Sequence, residues 1–130
     1  MTLDSRARYI QSEVTIAVGA SKSDFIETLG YRLVGVLVPA SCEGNGLKFF
    51  ADIQGADDTG AIVYNQAGEE IRAVYGTLPC VIDLTTPTGT NRGKLPPAAR
   101  YAVQSHTNGT AEPQVTADSI ITLILELIEG

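Results

Sequence analysis

Residues 47–54 read LKFFADIQ, and every second residue from position 47 to position 53 is apolar. Successive side chains of a β-strand point to opposite sides, so this alternation predicts a strand with one buried face. The preceding run YRLVGVLV, residues 31–38, is apolar at nearly every position, which is typical of a strand covered on both faces. Gly35 in its middle predicts a bulge or the close approach of another backbone.

The composition favours the same kind of structure along the whole chain. Of the 130 residues, 34 are β-branched (13 Thr, 10 Val and 11 Ile), whereas Lys occurs three times and Met once. Branched side chains are stiff and fit a pleated surface better than a helix. Thirteen Gly and six Pro residues supply frequent chain reversals. The composition therefore predicts an all-β protein.

Further alternating runs separated by turn residues complete this pattern. They lie at residues 14–18, 24–29, 62–64, 71–75, 80–84 and 101–103. Residues 119–129 alternate as a strand does, although their polar residues also recur at helical spacing, and the all-β composition favours a strand. Eight or nine such strands predict a single-domain antiparallel β-sandwich, jelly-roll-like, over residues 13–130. The polar residues 1–12 are interpreted as a short N-terminal arm.

The net charge of −6 argues against a nucleic-acid partner, because an acidic domain does not attract a polyanion. The longest apolar run, residues 120–128, is too short to span a bilayer and is interrupted by polar residues. The N-terminus has no long apolar segment after its basic residues, so no secretory signal is expected.

The reactive side chains are scattered. His106 is the single histidine, and its neighbour Ser105 points to the other face of an extended chain, so a Ser-His pair is not expected. A position at the edge of a turn predicts a surface role for His106. Glu69 and Glu70 also point apart, which makes them a poor acid–base pair. No catalytic residue and no small-molecule substrate are predicted, and the chain is not expected to be an enzyme.

Two other groups of residues are candidates for structural sites. Asp52, Asp57 and Asp58 weakly resemble a calcium loop, but their spacing does not match that pattern, so no metal site and no cofactor are predicted, and a cation in this loop is left open. Cys42 and Cys80 lack the spacing of a zinc site and are expected to be buried thiols, with a disulfide between them left open.

The order of segments resembles a family of small virion proteins of tailed bacteriophages. The resemblance covers residues 14–125 and consists of strand and turn motifs. A strand of the form L-x-G-x-x-x-P precedes one of the form L-x-F-x-A, and a YN pair then precedes a glycine turn. A strand of the form R-Y-x-x-x-x-S-x-T-x-G and an I-T-L-x-L terminus follow. The matching residues are Leu33, Gly35, Pro39; Leu47, Phe49, Ala51; Tyr64, Asn65, Gly68; Arg100, Tyr101, Ser105, Thr107, Gly109; Ile121, Thr122, Leu123 and Leu125.

This resemblance implies a capsid decoration (cement) protein, made in the host cytoplasm and bound to the exterior of a phage head. The expected partner is the major capsid protein, and the expected oligomer is a homotrimer. We expect the basic residues of the N-terminal arm and of the long loop at residues 85–97 to contact the capsid. These candidate residues are Arg6, Arg8, Tyr9, Arg92 and Lys94.

The alternative is a receptor- or carbohydrate-binding sandwich on a head fibre or tail. Sugar sites commonly present an aromatic platform, and this chain has no Trp, three Phe and five Tyr. That scarcity favours the decoration protein.

Overall fold

The computed structural model describes residues 8–55, 59–85 and 95–128, and within these ranges it contains strands and no helix. The strands are β1 (Tyr9–Ile16), β2 (Ile26–Glu27), β3 (Tyr31–Val38), β4 (Gly46–Asp52), β5 (Ala61–Ile62), β6 (Arg72–Val74), β7 (Cys80–Asp83), β8 (Arg100–Thr107), β9 (Thr110–Ala111) and β10 (Ser119–Leu127). The predicted all-β class is confirmed.

Two antiparallel sheets form the sandwich. Sheet 1 has the order β1-β10-β3-β7, and sheet 2 has the order β2-β8-β4-β5, with β6 beside β4 and β9 beside β8. The first and last strands are neighbours, and the chain crosses repeatedly from one sheet to the other. This order is that of a jelly roll, so the predicted architecture is also confirmed.

The core lies between the inner faces of the two sheets. Sheet 1 contributes the inward positions of β1, β3 and β10, and sheet 2 contributes those of β4 and β8. Alternation along each strand makes this possible, since every second residue points inward. The largest fully buried apolar side chains are Tyr101, Phe49, Ile16, Leu33, Leu47, Ile71, Leu84, Leu95, Ile121, Leu123 and Leu125.

Gly35 marks an irregularity in β3, as its position in the sequence predicts. The pairing of β3 with β10 shifts by one residue between Ile124 and Leu125. A Cβ atom on Gly35 would lie 3.1 Å from the carbonyl oxygen of Ile82 and 3.4 Å from Ile124 Cδ1. Both predicted features, a bulge and a close backbone approach, are therefore present at this position.

Two tight hairpins close sheet 2. Asn108 and Gly109 both have positive φ angles, of 50° and 92°, and they form the two-residue connection between β8 and β9. This is the turn that an Asn-Gly pair favours. The predicted hairpin around residues 65–68 is also present, because Tyr64 pairs with Glu70 and Gly68 N–H donates to Asn65 O over 3.0 Å.

The observed ranges of β1, β2 and β10 refine three of the sequence predictions. Strand β1 begins at Tyr9, so residues 9–12 of the predicted arm pair with β10, while residues 1–7 lie outside the described residues. The strand predicted at residues 24–29 is shorter, with only Ile26–Glu27 in β2. The ambiguous run at residues 119–129 forms a strand over Ser119–Leu127.

Candidate functional site

Arg8 and Tyr9, two of the predicted contact residues, lie together where β1 begins. Glu126 on the neighbouring strand β10 holds both of them: Arg8 Nη2 lies 3.3 Å from Glu126 Oε2, and the Tyr9 hydroxyl donates to the same oxygen over 3.1 Å. The Arg8 guanidinium also lies 5.8 Å from the centre of the Tyr9 ring. Tyr9 is nevertheless 55% exposed. The pair is therefore ordered by contacts within the domain and remains accessible.

The same end of sheet 1 carries two residues that were not predicted as contacts. Arg32 pairs with Glu126 across the β3–β10 ladder, and its Nε atom is buried without a hydrogen-bond partner among the described residues. Leu29, in the turn before β3, is the most exposed large apolar side chain of the described residues. We call the group Arg8, Tyr9, Leu29, Arg32 and Glu126 the contact end.

A shallow hollow of about 220 Å³ adjoins the contact end. Its lining consists of Arg32, Leu33, Val34, Leu84, Thr85 and Glu126. Thr85 is the last described residue before positions 86–94. Of the predicted contact residues, Arg6, Arg92 and Lys94 lie outside the described residues, whereas Arg8 and Tyr9 are adjacent.

His106 is buried, which corrects the prediction of a surface residue. Its side chain is 1% exposed, and its Nδ1 atom accepts a hydrogen bond from Gly109 N–H over 3.0 Å. Gly46 makes room for the ring, since a Cβ atom there would lie 2.5 Å from His106 Nε2. Burial and the nearby cations Arg72 and Lys48 lower the pKa of His106 to about 4. The imidazole is therefore neutral at pH 7 and serves the packing of sheet 2.

Ser105 and His106 do not form a reactive pair. Ser105 points into the sandwich and donates to the carbonyl oxygen of Glu112 over 2.5 Å, whereas His106 points to the other side of β8. This confirms the geometric reason for which a Ser-His device was not expected.

Charged side chains on the outer face of sheet 2 are paired with one another. Glu70 accepts from Arg72 Nη2 over 2.5 Å and lies 3.2 Å from Lys48 Nζ, while Glu69 is exposed. Burial alone would raise the pKa of Glu70, but the hydrogen bonds from Arg72 and Lys48 outweigh it and hold the pKa below its ordinary value. Glu70 therefore neutralises two cations, and it does not act together with Glu69.

Asp52 belongs to an ion pair. Its carboxylate binds the Arg100 guanidinium and also accepts from Gly55 N–H over 3.0 Å. Asp57 and Asp58 lie outside the described residues. Among the described residues, no group of three His, Cys, Asp or Glu side chains is placed to hold a metal ion.

A cleft of about 570 Å³ opens at the β2 side of sheet 2. Lys22, Ser23, Asp24, Phe25 and Arg100 line it. Lys22 Nζ lies 5.0 Å and Arg100 Cζ lies 5.3 Å from the centre of the Phe25 ring. Lys22 and Arg100 therefore lie beside one aromatic ring, with Asp24 lining the same cleft, while Lys22 Nζ also donates to Thr59 O over 2.9 Å and Arg100 also pairs with Asp52. This grouping was not predicted, because it depends on the pairing of β2 with β8.

Cys42 and Cys80 are both free thiols. Cys42 is buried, with its Sγ atom 3.3 Å from the Tyr75 hydroxyl, as the prediction of a buried thiol implies. Burial, followed by the contact with Cys42, raises the pKa of Tyr75. Cys80 is only partly buried, and its pKa is raised by desolvation.

Gln114 is the centre of a buried polar network next to Cys42. Its side-chain oxygen accepts from Glu43 N–H and from the Ser119 hydroxyl, each over 3.0 Å. Its amide nitrogen donates to Ser105 Oγ, also over 3.0 Å. The residue is fully buried. Through these hydrogen bonds, the Gln114 side chain connects the start of β10 with β8 and with the loop before β4.

Comparison with protein-family models, curated proteins and solved structures finds no match for this chain. Over the described ranges there is no helix long and apolar enough to cross a membrane.

Proposed function

We propose that this chain is a structural protein of a tailed-bacteriophage particle, a decoration protein bound to the outside of the head. It attaches through the contact end to the major capsid protein and stabilises the joints between capsomers. This role requires no reaction, cofactor or small-molecule substrate. The protein is made in the host cytoplasm and ends on the capsid exterior.

The observation that carries the proposal is the composition of the contact end. On a chain of net charge −6, this end places Arg8 and Arg32 beside an exposed Tyr and an exposed Leu. Aromatic and arginine side chains are the types enriched where protein interfaces are most strongly stabilised. Thr85, the last described residue before the second predicted contact loop, lines the same hollow as Arg32.

The fold supports the same proposal at a coarser level. Jelly rolls recur in viral capsid domains and in lectins, so the strand order suits a particle-bound module. This support is an analogy of fold, and the function is argued from the contact end.

A second candidate function is favoured by the cleft around Phe25. Lys22 and Arg100 beside an aromatic ring could hold an acidic sugar, as a receptor- or carbohydrate-binding module of a head fibre or tail requires. Both candidates place the protein on the virion, but in different numbers and through different surfaces.

Copy number separates the two candidates. Quantitative mass spectrometry of purified particles is expected to find hundreds of copies per head if the chain is a decoration protein. A dozen or fewer copies would favour the fibre or tail module, and absence from particles would reject both.

Attachment is tested by adding purified protein to heads that lack it. Tyr9→Ala and Arg8→Glu are expected to lose binding, because each removes a side chain of the contact end. Tyr64→Ala is the matched control, since Tyr64, in the hairpin after β5, is 54% exposed against 55% for Tyr9. Folded Tyr9→Ala and Arg8→Glu proteins that bind as the unmodified protein does would exclude attachment through this end.

Because residues 9–12 belong to β1, these substitutions are sharper tests than deletion of residues 1–12, which would remove half of an edge strand.

A further inference from the structure

β1 is an edge strand of sheet 1, and one side of its backbone is open to a further strand. Over residues 8–55, 59–85 and 95–128, it pairs with β10 alone. Leu127 N–H donates to Arg8 O over 2.7 Å, which makes these two residues a hydrogen-bonded pair. Because such pairs alternate along an antiparallel ladder, the even-numbered residues of β1 bond to β10. The open edge therefore consists of the N–H and C=O groups of Tyr9, Gln11, Glu13 and Thr15.

The two edge strands of sheet 1 differ in how strand addition is blocked. In β7 only Val81 and Asp83 direct their backbone groups outward, because Leu84 N–H donates to Val34 O and sets the alternation there. Short edge strands, proline, lysine and bulges are the usual means by which proteins prevent strand addition. β1 is 8 residues long, contains no Pro, Lys or Gly, and pairs with β10 without a break in register. The open edge of β1 is therefore able to accept another strand.

The side chains at this border of the sandwich are only partly covered. β1 lies against β8 of sheet 2, so the open edge of β1 and the β2 border of sheet 2 are on the same side of the molecule. Ile10 on β1 and Ile26 on β2 pack against the core, but both are only partly buried. A strand added to β1 covers this border with its own inward side chains. The border therefore suits a strand that is apolar on one face and polar on the other.

We propose that the open edge of β1 pairs with the same edge of a second copy of this chain, antiparallel and across a twofold axis. β1 is itself a strand of the required kind, since Ile10, Val14 and Ile16 are apolar on its inward face and its outward face is polar. When Ser12 lies on the axis, Ile10 of one copy lies opposite Val14 of the other. Twofold contacts between identical surfaces are the commonest in homo-oligomers, and added strands bind through main-chain hydrogen bonds.

The side chains of β1 favour the register that has Ser12 on the axis. In this register Gln11 lies opposite Glu13, so the amide donates to the carboxylate on the outward face. A shift of two residues in one direction places Glu13 opposite Glu13, and like charges directly opposite each other are unfavourable. The same shift in the other direction leaves Thr15 and Ile16 opposite residues outside β1. A shift of one residue exchanges the inward and outward faces.

This association goes beyond the proposed virion role and does not depend on it. The two β1 strands run in opposite directions, so the two contact ends lie at opposite ends of the joined sheets. A capsid surface therefore meets the contact end of one copy only. The trimer that the family resemblance implies is a different arrangement, and the native mass distinguishes the two.

Native mass measurement of the purified full chain over a range of concentrations tests the proposal. The mass is expected to rise from one to two times the 13.7 kDa chain mass, because a contact through one strand is smaller than a standard interface and dissociates on dilution. Gln11→Pro removes an N–H group of the open edge and no bond to β10, and it is expected to stay at one chain mass. Val81→Pro is the matched control, because it removes an outward N–H group of β7, and it is expected to pair as the unmodified protein does.

Crosslinking tests the register. In the proposed pair Ser12 lies opposite Ser12 at a position without hydrogen bonds, where opposite Cα atoms are about 4.5 Å apart and within the range of a disulfide. Ser12→Cys is therefore expected to form a covalent pair under mild oxidation, whereas Gln11→Cys, which faces Glu13, is not. The unmodified protein is the control for crosslinks through its free thiols Cys42 and Cys80.

Gln11→Glu serves if the proline variant fails to fold. It places carboxylates opposite each other on both sides of the axis and is expected to raise the concentration of half-dissociation about tenfold. Gln66→Glu adds the same charge in an exposed turn and is expected to change that concentration little.

Four results would overturn the proposal: one chain mass at every concentration, three chain masses, unchanged pairing of folded Gln11→Pro protein, or pairing without the Ser12→Cys crosslink. These results are separable from those for the proposed function. Absence of the chain from particles would reject the virion role and leave the pairing through β1 in place.

Discussion

Mild acid is expected to destabilise the protein through His106. The folded state holds the pKa of this imidazole at about 4, against an ordinary value of 6.5. Below pH 6.5 the unfolded chain therefore takes up a proton that the folded protein does not, and the free energy of unfolding falls as the pH falls. The displacement from 6.5 to about 4 corresponds to about 3 kcal/mol in full, of which about 2 kcal/mol is lost between pH 7.5 and pH 5.

His106→Asn is the variant that isolates this effect. The Asn side-chain oxygen can accept the hydrogen bond from Gly109 N–H in place of Nδ1, and it does not titrate in this range. The variant is expected to be less stable at pH 7.5, because it leaves part of the ring site unfilled, but nearly insensitive to pH down to 5. Since the chain has one histidine, no other imidazole contributes to the difference.

Urea unfolding of both proteins at several pH values measures the two free energies. The slope with urea serves as the control, because a changed slope would indicate a changed folded or unfolded state. Equal loss of stability in the two proteins between pH 7.5 and 5 would refute the assignment of the effect to His106.

Two further substitutions test the packing of the sandwich. Gln114→Ala removes three buried hydrogen bonds and is expected to lower the free energy of unfolding by about 3 kcal/mol in chemical denaturation, whereas Gln66→Ala, in an exposed turn, changes it little. Gly46→Ala places a Cβ atom 2.5 Å from His106 Nε2 and is expected to lower the melting temperature by several degrees. Gly76→Ala has open space around its Cβ position and is the control; equal effects at the two glycines would contradict the contact.

Local apolar patterns were sufficient to predict the two central strands β3 and β4. β3 occupies the predicted residues 31–38, and β4 begins one residue before and ends two residues before the predicted run 47–54. The strand at residues 24–29 is shorter than predicted, because only Ile26 and Glu27 reach the β8 ladder. The alternation of apolar and polar residues predicts which side of a strand each side chain faces. Hydrogen bonding to a neighbouring strand determines how many residues of the run form the strand.

The candidate site could be predicted only in part. Arg8 and Tyr9 stand out as basic and aromatic residues near the N-terminus, but Arg32 joins them through the β3–β10 register, which no local pattern contains. The burial of His106 depends in the same way on Gly46 and on neighbours from other strands. Long-range pairing is the information that the local sequence lacks.

The ambiguous run near the C-terminus has a structural explanation. Residues 119–129 alternate as a strand does, but their polar residues also recur at helical spacing. Ile121 and Leu123 face the core, while Ile120 and Ile124 point outward. A strand that alternated strictly would have left no doubt between helix and strand.

The pairing of the first strand with the last determines how the domain responds to force. Tyr9 pairs with Glu126 and Ile16 pairs with Ser119, so β1 begins and β10 ends at the same end of sheet 1. Tension that draws residues 8 and 128 apart therefore loads one hydrogen bond of this ladder at a time, and the two strands peel open from that end. A partner surface that contacts β1 and β10 together would distribute the force over the whole ladder, and the domain would then resist tension better than it does alone.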